Sequence, residues 1–272
     1  MSSTRDFPAN PLAKEGYILE WNDEFEGPEL NTTKWLPYYL PHWSSRKQSI
    51  PQYTFRDGML VLQITEDQQP WCPEFDGEVK ASCIQSGLFA GPVGSKQGQL
   101  HFNPDLLVRE AQTNVQLYTP RYGYFECRAK GVATRGNHVA LWMIGYEDTP
   151  EKSGEMCTFE IFGQDVSSTS TRVGYGIHPW GDLKLSDEFY QDILAIDATT
   201  FHIYAHEWTQ THIDVYVDNQ KIKRINQSPD YPMQFMLSIY ELPGADRNAA
   251  YPREFVVDYI RAYQPEDRYA KA

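Results

Sequence analysis

Gly154-Glu155-Met156-Cys157-Thr158-Phe159-Glu160-Ile161-Phe162-Gly163 sets two glutamates five positions apart in a run otherwise built of strand-favouring side chains. In an unbroken strand, side chains alternate between faces. Glu155 and Cys157 would then share one side while Glu160 faced the other. One extra residue near Thr158-Phe159, a β-bulge, restores the phase. Glu155, Cys157 and Glu160 then line one face, and Met156 and Ile161 turn to the core. Two carboxyls on one strand face are the equipment of a retaining glycosidase, one acting as nucleophile and the other as acid/base. Most glutamate pairs, however, belong to solvated strand faces, and these two Cα atoms lie roughly 13 Å apart. Both side chains must lean inward to reach the ~5–5.5 Å that retaining chemistry uses. Spacing alone leaves a solvated face as the simpler reading.

Outward from this stretch the chain reads as short strands broken by turns. Phe55-Arg56-Asp57-Gly58-Met59 is a hairpin turn leading into an alternating strand. Phe201 to Trp208 and His212 to Asn219 form a second hairpin, and Pro232 to Ile239 and Phe255 to Tyr263 supply two closing strands. Residues 66–82 read as a polar loop, 90–114 as a glycine-rich insertion and 182–198 as an acidic loop. No helix of ordinary length, repeat or linker interrupts the pattern, which implies an all-β antiparallel sandwich. The boundaries expected are an irregular arm over 1–16, one domain over 17–265 and a tail over 266–272.

The chain has 272 residues and 37 acidic against 24 basic side chains, a net charge of −13. No basic patch is present to neutralise phosphates, so nucleic acid is not an expected partner, and neutral glycans suit an acidic surface better than sulfated or uronic ones. Aromatics make up 14% of the sequence, enough for a sandwich core and for a cleft that stacks sugar rings. Cys72, Cys83, Cys127 and Cys157 contain no Cys-x-x-Cys pair. Cys72 and Cys83 flank a polar loop and either bridge in an oxidising compartment or stay free. Met1 to Asn10 has no apolar signal core, and no run is long enough to span a bilayer. As written, the sequence reads as a cytoplasmic monomer; removal of an export signal would leave the same sequence.

Two stretches carry a family resemblance. Trp21-Asn22-Asp23-Glu24-Phe25-Glu26-Gly27, followed by Leu30-Asn31-Thr32-Thr33-Lys34-Trp35, resembles the opening Trp-x-Asp-Glu-Phe-x-Gly and Leu-Asp-x-x-Lys-Trp of glycoside hydrolase family 16. The stretch from Glu155 to Glu160 resembles the Glu-x-Asp-x-x-Glu catalytic strand of its bulge-containing, laminarinase-like branch. Further matches run in order to Val257-Asp258-Tyr259-Ile260-Arg261-Ala262-Tyr263, so the resemblance covers about Trp21 to Gln264. It implies a curved β-jelly-roll, concanavalin A-like, with the sugar cleft on its concave face.

The resemblance implies Glu155 as nucleophile and Glu160 as acid/base. Cys157 stands where the family has its central aspartate. That departure implies a less elevated pKa for Glu160 and a less firmly held Glu155; a buried thiol is otherwise a small hydrophobe. Trp142, Ala140 and His138 share a strand face, which the resemblance places in the cleft. His138 replaces a tryptophan common in the family. His178 and Trp180 fall where the family brings a loop to the cleft. Trp43 either walls the cleft or packs, and Glu241 is either a surface carboxylate, the simpler expectation, or a third one in the cleft. No cofactor is expected for the chemistry. A structural calcium on Glu24, the Gly58 carbonyl and Asp258 is implied by the resemblance. The activity implied is retaining hydrolysis of a neutral polysaccharide resembling β-1,3-glucan. A transglycosylase and a catalytically weak carbohydrate-binding protein are the alternatives.

Overall fold

The computed structural model describes residues 5–269; residues 1–4 of the arm and 270–272 of the tail lie outside the described residues. The strands are β1 (Tyr17–Asp23), β2 (Gln52–Arg56), β3 (Met59–Ile64), β4 (Lys80–Gln85), β5 (Gly87–Leu88), β6 (Val115–Gln116), β7 (Gly123–Lys130) and β8 (Asn137–Gly145). They continue with β9 (Glu155–Phe162), β10 (Thr171–His178), β11 (Glu188–Leu194), β12 (His202–Trp208), β13 (Ile213–Val217), β14 (Gln220–Ile225), β15 (Met233–Glu241) and β16 (Arg253–Pro265). Two single helical turns, α1 (Pro73–Asp76) and α2 (Glu266–Tyr269), and a 3-10 turn over Gly163–Asp165 complete the described elements.

Antiparallel pairing sorts these strands into two large sheets and a small one of β5 and β6. The first runs β14-β13-β12-β7-β16-β3-β2, with β1 also paired to β16; the second runs β11-β10-β9-β8-β15-β4. Period-two alternation decides what each strand gives to the space between them. On β8, Val139, Leu141 and Met143 enter the core between the sheets, with Phe235 and Leu237 of β15 and Phe125 and Leu62 of the opposite sheet. Burying one such side chain contributes about 1.5–3 kcal/mol. The alternate residues Ala140, Trp142 and Ile144 turn to the outer face of the second sheet. There they meet Tyr39, Trp43, Trp71 and Leu100 from loops folded across it. The result is an antiparallel jelly-roll sandwich whose outer second-sheet face is partly roofed.

Three expectations change. Residues 182–198 contain a strand, β11, because Phe189, Gln191 and their neighbours pair with β10 along its length. The polar loop ends at Val79, since Lys80–Gln85 form β4 against β15, and its Trp71 and Cys72 are buried. Glu241 is 4% exposed, not a surface residue: Tyr251 donates to it at 2.8 Å and Lys80 lies 3.2 Å away.

Candidate active site

The site is built on an irregularity in β9. Against β8, Leu141 faces Phe159 but the next residue, Trp142, faces Cys157, so Thr158 is the inserted residue. The same slip appears against β10, where Gly174 faces Glu160 and Gly176 faces Cys157. Met156, Phe159 and Ile161 consequently enter the core between the sheets, while Glu155, Cys157 and Glu160 line one cavity on the outer face. Thr158 is anchored inward, its hydroxyl 2.8 Å from His206 Nδ1. Burial pushes that imidazole down to about 3, so the anchor is an uncharged contact.

The cavity, of about 240 Å³, has His138, Ala140 and Trp142 along one side and Tyr39 and Tyr240 along another. Tyr39 packs edge to face on Tyr240 at 5.4 Å, on Trp71 at 4.5 Å and on Trp142 at 6.5 Å. Trp142 fixes its indole by donating to Ser238 Oγ at 3.2 Å. The His138 ring stacks on Phe162 at 4.3 Å, and its Nε2 lies 3.2 Å from Glu160 Oε2 without hydrogen-bond alignment. Gly174 makes room for Glu160: a Cβ there would lie 2.6 Å from Glu160 Cγ. Any side chain at 174 would therefore displace the carboxyl.

Glu155 has a dedicated donor, Trp180 Nε1 at 2.8 Å. Burial raises its carboxyl above the usual range; the Trp180 hydrogen bond and the facing His178 pull it down, and Glu160 pushes it up. The loosely held Glu155 expected from the missing aspartate is not what the geometry gives, because the indole does the orienting. His178 is the cross-strand partner of Glu155, stacks on Phe189 at 4.6 Å and sits 3.1 Å from Asp187. It acts on the site through charge and does not line the cavity. Burial, with Glu160 and Glu155 adding to it, holds the Cys157 thiol well above its ordinary pKa, so it stays neutral.

Trp43 does not wall the cleft. It is fully buried, with its indole donating to the Gln99 carbonyl at 2.8 Å. Sequence reading also missed Asp76 and Leu100, which line the cavity from the presumed loop and insertion. Asp76 accepts from Trp71 Nε1 at 2.6 Å; burial raises its pKa and that bond opposes the rise. The presence of Trp71 and Tyr39 in aromatic-rich loops was the available signal. All four cysteines are free and buried.

The calcium set does not fit. Glu24 receives both arms of Arg261, at 2.9 and 2.8 Å, and Asp258 receives Arg128 at 2.6 Å. Calcium needs six to eight oxygens with little competing positive charge, and both carboxylates already carry a guanidinium.

Residues 110–261 match the family model for glycosyl hydrolases family 16, and the chain belongs to that family. It is 22% identical over 295 residues to glucan endo-1,3-beta-glucosidase A1 of Niallia circulans, covering 95% of this chain and 39% of that protein. It is 28% identical to endo-1,3-1,4-beta-glycanase ExsH of Rhizobium meliloti, covering 56% of this chain and 32% of that one. The chain thus spans about two fifths or less of these relatives. Among solved structures, a GlcNAcα1-4Gal releasing endo-β-galactosidase from Clostridium perfringens superposes with a TM-score of 0.83 at 36% identity, over 96% of this chain and 66% of that one. A laminarinase from Flavobacterium sp. UMI-01 superposes at 0.63 and 21% identity, over 91% and 100%. The fold and the family model together place the chain in glycosyl hydrolases family 16.

Proposed function

We propose that the chain cleaves β-glycosidic bonds with retention of configuration, Glu155 acting as nucleophile and Glu160 as acid/base. The observation that carries this reading is the Thr158 bulge, which sets both carboxyls in one aromatic-walled cavity. Glu155 attacks the anomeric carbon as Glu160 delivers its proton to the leaving oxygen. Glu160 then takes a proton from water, which releases the sugar from Glu155. Interception of the same intermediate by a sugar hydroxyl would make the chain a transglycosylase. Trp142 and Tyr240 supply ring faces for the substrate, and His138, beside Glu160, hydrogen-bonds a hydroxyl near the scissile bond.

For the substrate, β-1,3-glucan follows from the laminarinase-like motifs. A β-galactoside within a neutral glycan is favoured by one observation: 36% identity to the clostridial endo-β-galactosidase against about 20% for the glucanase structures. The test is a panel of neutral glucans and galactose-containing glycans, read by reducing-end release. An activated 2-fluoro glycoside of the sugar cleaved would trap the intermediate for mass spectrometry. A label on Glu155 is expected. Binding of the panel without cleavage would replace the enzyme with a binding protein.

A further inference from the structure

A second cavity, of about 440 Å³, opens beside the first and shares Leu100 as its wall. It lies within the usual range for small-molecule sites. Trp180 links the two: its N–H holds Glu155, a lining residue of the first, while its ring, 47% exposed, lines the second cavity. At the other side stands Glu147, a carboxyl only 6% exposed on a residue with φ of +55°. A buried acid on left-handed backbone is costly unless it has a task. One carboxyl oxygen accepts the Leu100 amide at 2.8 Å. Among the described residues the other has no protein partner. Burial pushes this acid up to about 8, so it is largely protonated at neutral pH and presents an O–H. The remaining titratable groups around the cavity are committed elsewhere. Lys96 donates to the Pro104 carbonyl at 2.8 Å, and His101 Nε2 lies 3.2 Å from the Leu106 carbonyl.

We propose that this cavity is a subsite for a further neutral sugar ring of the substrate, stacked on Trp180 and bound by Glu147 as the specificity-determining hydrogen-bond donor. The assignment rests on the glycosidase reading and deepens it. An uncharged donor at the base of the cavity selects a ring bearing a hydroxyl or acetamido oxygen, and it disfavours a sulfated or carboxylated ring, which would force the acid to ionise against it. Glu147 does not touch the reacting atoms.

The test compares two-ring with four-ring neutral β-linked galactose and glucose oligosaccharides. Hydrolysis is followed with Glu147→Ala and Glu147→Gln, and binding with the same changes placed on Glu155→Gln, by tryptophan fluorescence. Glu147→Ala is expected to lower the preference for four rings over two by about tenfold, expressed in KM and in Kd, the scale of one hydrogen bond. Glu147→Gln, which keeps both a donor and an acceptor, is expected to restore most of it. Gln97→Trp, at the exposed rim, narrows the opening without touching the core and should lower the same ratio. An unchanged ratio in Glu147→Ala and Gln97→Trp, with only a fall in Tm for the former, would make Glu147 a loop brace and overturn the proposal. No binding of any oligosaccharide would overturn it too. If the binding ratio falls but the wild type cleaves nothing, the subsite stands and the catalytic reading fails.

Discussion

The outer faces of the two sheets each carry a cavity with carboxylates among aromatic rings, yet they treat those charges in opposite ways. On the first sheet, a cavity of about 400 Å³ is bordered by Lys14, Tyr17, Tyr124, Glu126, Glu207 and Tyr263. Two of its acids are held by neighbouring donors: Asn10 donates to Glu126 at 2.9 Å and Tyr17 to Glu207 at 2.5 Å, and the Lys14 ammonium sits 3.7 Å above the Tyr124 ring. Nearby, burial would raise Glu24, but the Arg261 fork outweighs it and holds the carboxyl below the usual range. The smaller cavity on the second sheet contains Glu155 and Glu160 with one indole, one imidazole contact and no arginine among its lining residues. Paired acids hold a fold together, whereas acids left open beside ring faces are able to react with a ligand. Size misleads here; the availability of the charge does not.

The largest effect should come from the open pair. Glu155→Gln removes the proposed nucleophile and is expected to lower kcat by about 10⁴-fold or more, with Kd for oligosaccharide little changed. Glu160→Gln should cost about 10²- to 10⁴-fold, and less on an aryl glycoside whose leaving group needs no proton. Steady-state kinetics on both substrate types separates the two roles. Equal losses on both substrates would remove the acid/base assignment.

The opposite face should respond in stability, not rate. Arg261→Ala strips the fork from Glu24 and leaves Glu126 with one cation fewer. A loss of about 3 kcal/mol is expected from chemical denaturation, with kcat per folded molecule within twofold. A rate change in the folded fraction would erase the contrast between the two faces.

Much of this contrast was legible in the sequence, and the part that was not has a physical reason. The bulge followed from period-two logic, since no other arrangement puts Glu155, Cys157 and Glu160 on one side while sending Ile161 inward. The face shared by His138, Ala140 and Trp142 followed from the same rule. What period and motif do not encode is how loops fold back on a sheet. Trp43 and Tyr39 lie four residues apart in one aromatic loop; the first is locked under Gln99 and the second reaches the cavity. Asp76 and Glu147 went unnoticed because acids in polar loops ordinarily face water, and burial by distant segments leaves no local trace. Strand β11 was hidden by its composition, since Glu188, Gln191 and Asp192 interrupt the apolar run at the edge of the sheet.

Trp180→Phe tests the indole donor on Glu155. That hydrogen bond favours the charged carboxylate, so its removal raises the pKa further and moves the acidic limb of kcat/KM to higher pH. At pH 5 the rate should fall by about tenfold, with partial recovery as the pH rises. A pH-independent loss would instead mean that the indole serves only as a sugar platform.

The smallest effect is expected at the position where the chain leaves its family's pattern. The Cys157 thiol is buried among Ala140, Trp142 and Met236, and its ionisation is opposed by burial and by both glutamates. A thiol held neutral in this way neither attacks a sugar nor supplies negative charge. Its remaining contributions are volume and a weak S–H donor. Cys157→Ala removes both, at a cost of about 1 kcal/mol from the small void it leaves, and kcat should stay within about threefold. Iodoacetamide at pH 8 should likewise leave native Cys157 unlabelled, as read by peptide mass. A kcat loss of a hundredfold in a folded Cys157→Ala, or rapid alkylation of the native chain, would show that the sulfur takes part in the chemistry. The division between paired and open acids would then no longer account for the site.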